Sequence, residues 1–180
     1  MAAVIRSRWF GMLVAAALAV SGVVLSVPAA GAASVDVTCA GTETVTYDPG
    51  LLVTPQTVHV TVTAILAPCS SSDSSITAGN YVESFNATLS CSTIFSGRAG
   101  TRVFNWSNGQ TTTFAFNRAL NDAGGQTTVT FTGYITSGEF HGDTAVEQVA
   151  FATPSTLQCL APPGLTSLGP GPAVVNITHP

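Results

Sequence analysis

The chain has 180 residues, of which only 8% are charged, and its formal net charge at pH 7 is −4. It contains five arginines and no lysine, whereas proteins that bind nucleic acid or anionic membrane surfaces need clustered cationic side chains. The composition therefore excludes nucleic acid as a partner, and the length suits one domain with a hydrophobic core rather than two.

Residues 1–33 have the pattern of a secretory signal peptide. Arg6 and Arg8 precede an uncharged, mostly apolar run over residues 11–27, and small residues follow at 30–33. A membrane anchor is the alternative, but a span needs about 20 apolar residues. We therefore predict a secreted protein with a single domain over 34–180 and no stable membrane span after cleavage. The alternative localisation is a membrane tether formed by an uncleaved leader.

The four cysteines, Cys39, Cys69, Cys91 and Cys159, all follow this leader. An even number of cysteines in an exported chain favours disulfides, and a zinc site usually shows close pairs such as C-x-x-C. We predict two disulfides. Of the three possible connectivities, we prefer Cys39–Cys69 with Cys91–Cys159.

Alternation of apolar and polar residues runs through the chain after residue 34, as in Val58, Val60 and Val62 against His59 and Thr61. Such alternation is typical of antiparallel strands with one face on a core and one in water. We predict seven to nine strands, near residues 35–40, 43–48, 56–67, 81–91, 99–106, 110–118, 126–137, 144–152 and 173–178. Pro and Gly in residues 161–172 suggest a loose crossover before the last strand.

The turn at Asn108-Gly109 allows two registers. A two-residue type I′ turn would expose an aromatic pair, which would suggest a platform for a ligand. A three-residue loop, with Gly109 left-handed, pairs Trp106 with Gln110 and Phe104 with Thr112. It places Phe104, Trp106, Phe114 and Phe116 on one face. We favour this loop, because the register of a strand follows its buried face.

Short strands separated by regular turn signals are typical of a sandwich or a barrel. We predict an all-β, antiparallel two-sheet sandwich, immunoglobulin-like in the broad sense, preceded by the signal peptide.

One group of residues has the chemistry of a metal site. On an extended chain, Glu139, His141 and Asp143 project to the same side and offer two carboxylates and an imidazole. The same residues also fit a solvated strand face with Phe140 in the core. No serine lies in G-x-S-x-G. We therefore assign no catalytic or metal-binding residue and no cofactor, and we lean against an enzyme.

Several short segments resemble small exported actinobacterial proteins with an immunoglobulin-like sandwich character and no attached activity. The segments are residues 39–44 (CAGTET), 47–51 (YDPGL), 106–109 (WSNG), 136–143 (TSGEFHGD) and 159–167 (CLAPPGLTS). The resemblance implies an exported, disulfide-bonded β domain and supplies no catalytic residue.

The sequence thus predicts a non-catalytic extracellular or surface interaction module whose specific function is unknown. Its expected partner is an unidentified extracellular protein or a wall glycan. The alternative is a secreted metal-dependent or hydrolytic enzyme using Glu139, His141 and Asp143. A weaker alternative is carbohydrate binding by exposed aromatics such as Trp106 and Tyr134.

Overall fold

The structure is a computed structural model that describes residues 33–94 and 96–180. Eight antiparallel strands make up most of it. The predicted signal peptide therefore lies outside the described residues, except for Ala33. A 3₁₀ turn over Thr156–Cys159 precedes the last strand. The strands are β1 (Ser34–Leu51), β2 (Gln56–Ser71), β3 (Gly79–Leu89), β4 (Ala99–Trp106), β5 (Thr111–Ala123), β6 (Gln126–Gly138), β7 (Thr144–Ala152) and β8 (Leu165–His179).

The strands close into one barrel in the order β1 to β8, and the predicted two-sheet sandwich is wrong. Each strand pairs with its neighbours in the chain, and β1 also pairs with β8, from Ser34 opposite His179 to Leu51 opposite Leu165. Strands with alternating apolar and polar residues fit a sandwich and a barrel equally well, because both architectures have one buried face per strand. Pairing between the first and last strands decides between them.

The strands differ most from the prediction at two places, in β1 and at the start of β8. Residues 35–40 and 43–48 belong to the single strand β1, which stays paired with β2 on both sides of Gly41. Most of the predicted loose crossover, residues 165–172, is the first half of β8, where Leu165 and Leu168 are buried. Pro and Gly lowered the strand signal there, but the two leucines still pack inside the barrel.

Alternate residues of every strand project into the interior of the barrel, and an eight-stranded barrel has room for these side chains and at most one small ligand. Buried apolar side chains include Val45, Val60, Val62, Phe114, Val129, Phe131, Val149 and Val175. The outward positions carry many Thr and Ser residues, which solvate the outer surface without adding charge.

The loop between β4 and β5 has the favoured three-residue register. Trp106 N donates to Gln110 O at 2.9 Å, and Phe104 lies opposite Thr112. Gly109 has φ of 83°, a left-handed conformation that suits glycine. The predicted common face is confirmed: Phe104, Trp106 and Phe114 are buried, and Phe116 packs against the same core.

The prediction of two disulfides is confirmed. One joins Cys39 to Cys69 between β1 and β2, and the other joins Cys91 to Cys159. These are the pairs preferred from the sequence. Disulfides persist in oxidising compartments, so they indicate an oxidising, extracellular-type environment.

Among the described residues, no helix has the length and apolar character needed to cross a membrane.

Candidate ligand-binding cavity

The wall of the barrel is incomplete between β3 and β4. The two strands pair only where Gly79 lies opposite Trp106 and Asn80 opposite Asn105. Beyond these pairs, residues 81–89 of β3 and 99–104 of β4 have no backbone ladder between them. We call this gap the seam.

A cavity of about 520 Å³ lies inside the barrel behind the seam. This volume is within the range of roughly 300–1,000 Å³ that is typical of small-molecule sites. Ser84 and Phe85 on one side of the seam and Ala99 and Thr101 on the other all line it. The cavity is therefore reached from solvent through the seam.

Most of the cavity wall is apolar. Its hydrophobic and aromatic residues come from all eight strands and from the loop after β3: Val45, Tyr47, Val60, Val62, Phe85, Ala87, Leu89, Ile94, Ala99, Phe116, Val129, Phe131, Phe151 and Leu168. Such a surface gains free energy by exchanging water for an apolar molecule, at roughly 25 cal/mol for each Å² removed from water.

The polar part of the cavity is centred on the buried guanidinium of Arg102. Its Nη1 donates to the hydroxyl of Tyr81 at 2.7 Å and also to Glu147, and its Nε lies 2.6 Å from Oε1 of Glu83. The same Nη1 lies 3.4 Å from Oε2 of Glu43. The guanidinium carbon stacks 3.9 Å from the centroid of the Tyr81 ring. The guanidinium of Arg102 thus forms ion pairs with three carboxylates, which come from β1, β3 and β7.

Burial raises the pKa of Glu43 from 4.5 to about 7, although the charge of Arg102 opposes this shift. Burial likewise raises the pKa of Glu147. The hydroxyl of Tyr81 contacts both carboxyl groups, but it has only one proton to donate. A proton on Glu43 would satisfy the second contact. Glu43 also lines the cavity, so its carboxyl group can accept a hydrogen bond from a ligand.

The structure does not bring Glu139, His141 and Asp143 together as a site. Residues 139–143 form a tight turn rather than an extended strand, with Asp143 N donating to Phe140 O and φ of 97° at Gly142. His141 is exposed, whereas Asp143 is buried. Side chains at alternate positions share one face only on an extended strand, so the turn separates these three.

Asp143 instead lies close to Asp36 and His179, with one ligand atom of each within 4.8 Å of the others. Asp143 Oδ1 lies 2.9 Å from His179 Nδ1, and Asp36 accepts from Ser72 Oγ at 2.9 Å. Each member therefore has a hydrogen-bond partner within the fold. The cluster is explained as a polar link between β1, β8 and the turn before β7.

A second polar group lies on the outer face of β2 and β3. His59 Nε2 lies 2.9 Å from Ser84 Oγ, and His59 Nδ1 lies 3.2 Å from Asn86 Oδ1. This order resembles a nucleophile, a base and an orienting group. All three side chains are exposed, and His59 is directly opposite Asn86 in the ladder. His59 and Asn86 are a cross-strand pair and Ser84 is the diagonal neighbour of His59, so ordinary pairing across the sheet explains these contacts without a catalytic role.

The aromatic residues do not form the platform considered for a carbohydrate. Trp106 is 4% exposed, and its Nε1 donates to Thr112 Oγ1 at 2.7 Å. Tyr134 is 65% exposed on the outer face of the barrel. The hypothesis that a sugar stacks on Trp106 is therefore wrong, because this side chain is buried.

The polar cluster of Glu43, Tyr81, Glu83, Arg102 and Glu147 was not predicted, although the sequence contains a signal for it. Glu43 alternates in phase with Val45 and Tyr47, and Arg102 in phase with Phe104. Glu147 alternates in the same way with Val149. A charged residue at an inward position is costly unless it is paired, so these positions pointed to a buried polar site.

Comparison with protein-family models, curated proteins and solved structures found no match to this chain.

Proposed function

We propose that this protein is exported and binds one small, largely apolar molecule inside the barrel without changing it chemically. The observation that carries the proposal is the apolar cavity of about 520 Å³ that opens at the seam and has Glu43, Glu83 and Arg102 in its wall. Ligand sites in proteins combine an apolar wall with a few fixed polar groups in this way.

Export is supported by two features. The two disulfides suit an oxidising compartment, and residues 1–33 have the pattern of a signal peptide. The resemblance of segments such as 39–44 and 159–167 to exported proteins remains a prediction. An extracellular protein or wall glycan as partner also remains a prediction, separate from the cavity.

The enzyme alternative loses its main support. Glu139, His141 and Asp143 are not brought together in the structure, and the residues that line the cavity include none of them. Binding is the function that the arrangement of the cavity favours.

The test is a titration of the mature domain with N-phenyl-1-naphthylamine, a neutral dye whose fluorescence rises in apolar surroundings. The wild-type protein is compared with Ala87→Trp, which adds a large side chain to the cavity wall, and with Thr88→Trp. Thr88 is the next residue of β3 and is exposed. We expect saturable binding of one dye in the wild type and in Thr88→Trp, and at least a tenfold loss in Ala87→Trp.

Circular dichroism and thermal melting show whether both variants fold. Dye binding that is absent from the wild type would contradict the proposal. Equal binding by a folded Ala87→Trp variant would also contradict it, because the dye would then occupy another surface.

A further inference from the structure

All the cationic side chains after the leader line one cavity. Residues 34–180 contain three arginines and no lysine, against nine acidic residues. Arg98, Arg102 and Arg118 each contribute to the cavity wall. In an acidic domain the cations are therefore concentrated where the proposed ligand would enter.

Two of these arginines are direct cross-strand neighbours. Arg118 N donates to Arg98 O at 2.9 Å, which extends the β4–β5 ladder by one pair beyond Ala99 opposite Asn117. Residues directly opposite in an antiparallel ladder project to the same face, and like charges in such a pair are destabilising. Burial and the charge of Arg98 both lower the pKa of Arg118.

The charge of Glu43 acts on Arg118, but neither arginine of the pair forms an ion pair with a carboxylate of the described residues. Within the described residues, the ion pairs of arginine all belong to Arg102. Residues 1–32 and Phe95 contribute no Asp or Glu side chain. Arg118 instead donates from Nε to the carbonyl oxygen of Ser96 at 3.0 Å, and its Nη2 contacts the same oxygen. These bonds fix the guanidinium and leave Nη1 without a partner in the described part of the chain.

We propose that Arg98 and Arg118 form a subsite for the anionic head of the ligand, which is an amphipathic carboxylate. This inference rests on the proposed function and specifies the class of ligand. The apolar wall takes the body of the molecule, and the free guanidinium N–H groups bind its carboxylate. Arginine matches a carboxylate with paired, charge-assisted hydrogen bonds. Binding of the anion would also remove the repulsion between the two arginines.

The inference is tested by displacing bound N-phenyl-1-naphthylamine with three competitors, decanoate, decanol and decylamine. The three molecules have the same apolar chain and differ only in the head group. We expect decanoate to compete at least tenfold more strongly than decanol and decylamine. Arg98→Gln should reduce this advantage to about twofold or less. Arg98 is exposed, so this variant is expected to fold. Arg98→Lys, which keeps the charge, should retain part of the preference.

The matched control is Gln148→Glu, because it lowers the net charge by the same amount at an exposed position on β7. It should keep the preference for decanoate. Equal competition by decanol and decanoate, with dye binding intact, would overturn the anionic subsite and leave the proposed function standing. The subsite would also be overturned if Gln148→Glu and Arg98→Gln lost the preference equally. Failure of the dye to bind the wild type would overturn both proposals.

Discussion

The Nε atom of Arg102 on β4 lies 2.6 Å from Oε1 of Glu83 on β3, and this ion pair crosses the seam where the backbone ladder has ended. The side chain of Glu83 is 22% exposed, so water screens the pair only in part. An interaction between side chains thus connects β3 and β4 beyond the two residue pairs that their backbones form.

Glu83→Gln is expected to loosen the seam. Arg102 keeps Glu147 and Glu43 as partners, so we expect a loss of only about 1–2 kcal/mol in the free energy of unfolding. Release of a dye bound in the cavity should become faster, because the entrance opens more easily. Urea unfolding and stopped-flow fluorescence measure the two effects. Glu139→Gln, a carboxylate outside the cavity wall, is the control, and an equal effect there would contradict this role for Glu83.

Arg102→Met is expected to be strongly destabilising at alkaline pH. It leaves the buried carboxyl groups of Glu43 and Glu147 without their cation, and breaking a buried pair costs about 3–5 kcal/mol. The loss should shrink toward pH 5, because both carboxyl groups can then take up a proton. Denaturant unfolding at pH 5 and pH 8 measures the difference. A second substitution, Glu147→Gln, should restore part of the stability at pH 8, and a loss independent of pH would refute the explanation.

The wild-type protein is expected to lose stability as the pH rises from 5 to 8. Glu43 has a pKa of about 7 in the fold, above its ordinary value of 4.5, so the folded state holds this proton more tightly than the unfolded state. The stabilisation is complete below pH 4.5 and is lost as the pH passes 7, by up to about 3 kcal/mol. Burial also raises the pKa of Glu147, which acts in the same direction.

Glu43→Gln tests this assignment, since it keeps an oxygen near Tyr81 and cannot ionise. The groups that face Glu43 are Arg102, Tyr81, Glu83 and Glu147, and all remain in the variant. Its unfolding free energy should vary less between pH 5 and pH 8 than that of the wild type. Asp73 has a lowered pKa, so it affects stability only at more acidic pH. An unchanged pH profile in Glu43→Gln would contradict the raised pKa.

The strands were predictable from the sequence because each carries its own alternation, as in Val58, Val60 and Val62. Closure of the sheet was not predictable in the same way. It depends on β1 meeting β8, for example Val37 opposite Ile177, and this pairing joins residues from the two ends of the domain. Neither segment alone shows which partner it will take, so a sandwich and a barrel gave the same local pattern.

The candidate site was less predictable than the strands. Arg102 stands at an inward position next to Val103 and two residues before Phe104, but the sequence does not show that Glu43 and Glu147 will meet it. The seam exists because the backbone pairing of β3 with β4 stops after Asn80. The cavity follows from that interruption, which single-strand patterns do not encode.

The two disulfides are expected to differ in their effect on the cavity. Cys91–Cys159 closes a loop with a sequence separation of 68, and Cys39–Cys69 one of 30. Loop-closure entropy predicts losses of about 4 and about 3.5 kcal/mol when they are removed. The unfolding free energy alone therefore separates them poorly.

Ligand release should separate them clearly. Cys91 holds the loop after β3, which carries Ile94 in the cavity wall and leads to Ser96, whose carbonyl oxygen fixes Arg118. Cys39 and Cys69 lie within the β1–β2 ladder, away from the cavity wall. Replacing Cys91 and Cys159 by serine should speed the release of bound dye and reduce the preference for decanoate. The same change at Cys39 and Cys69 should alter neither, and equal effects on release would mean that the loop after β3 does not control access through the seam.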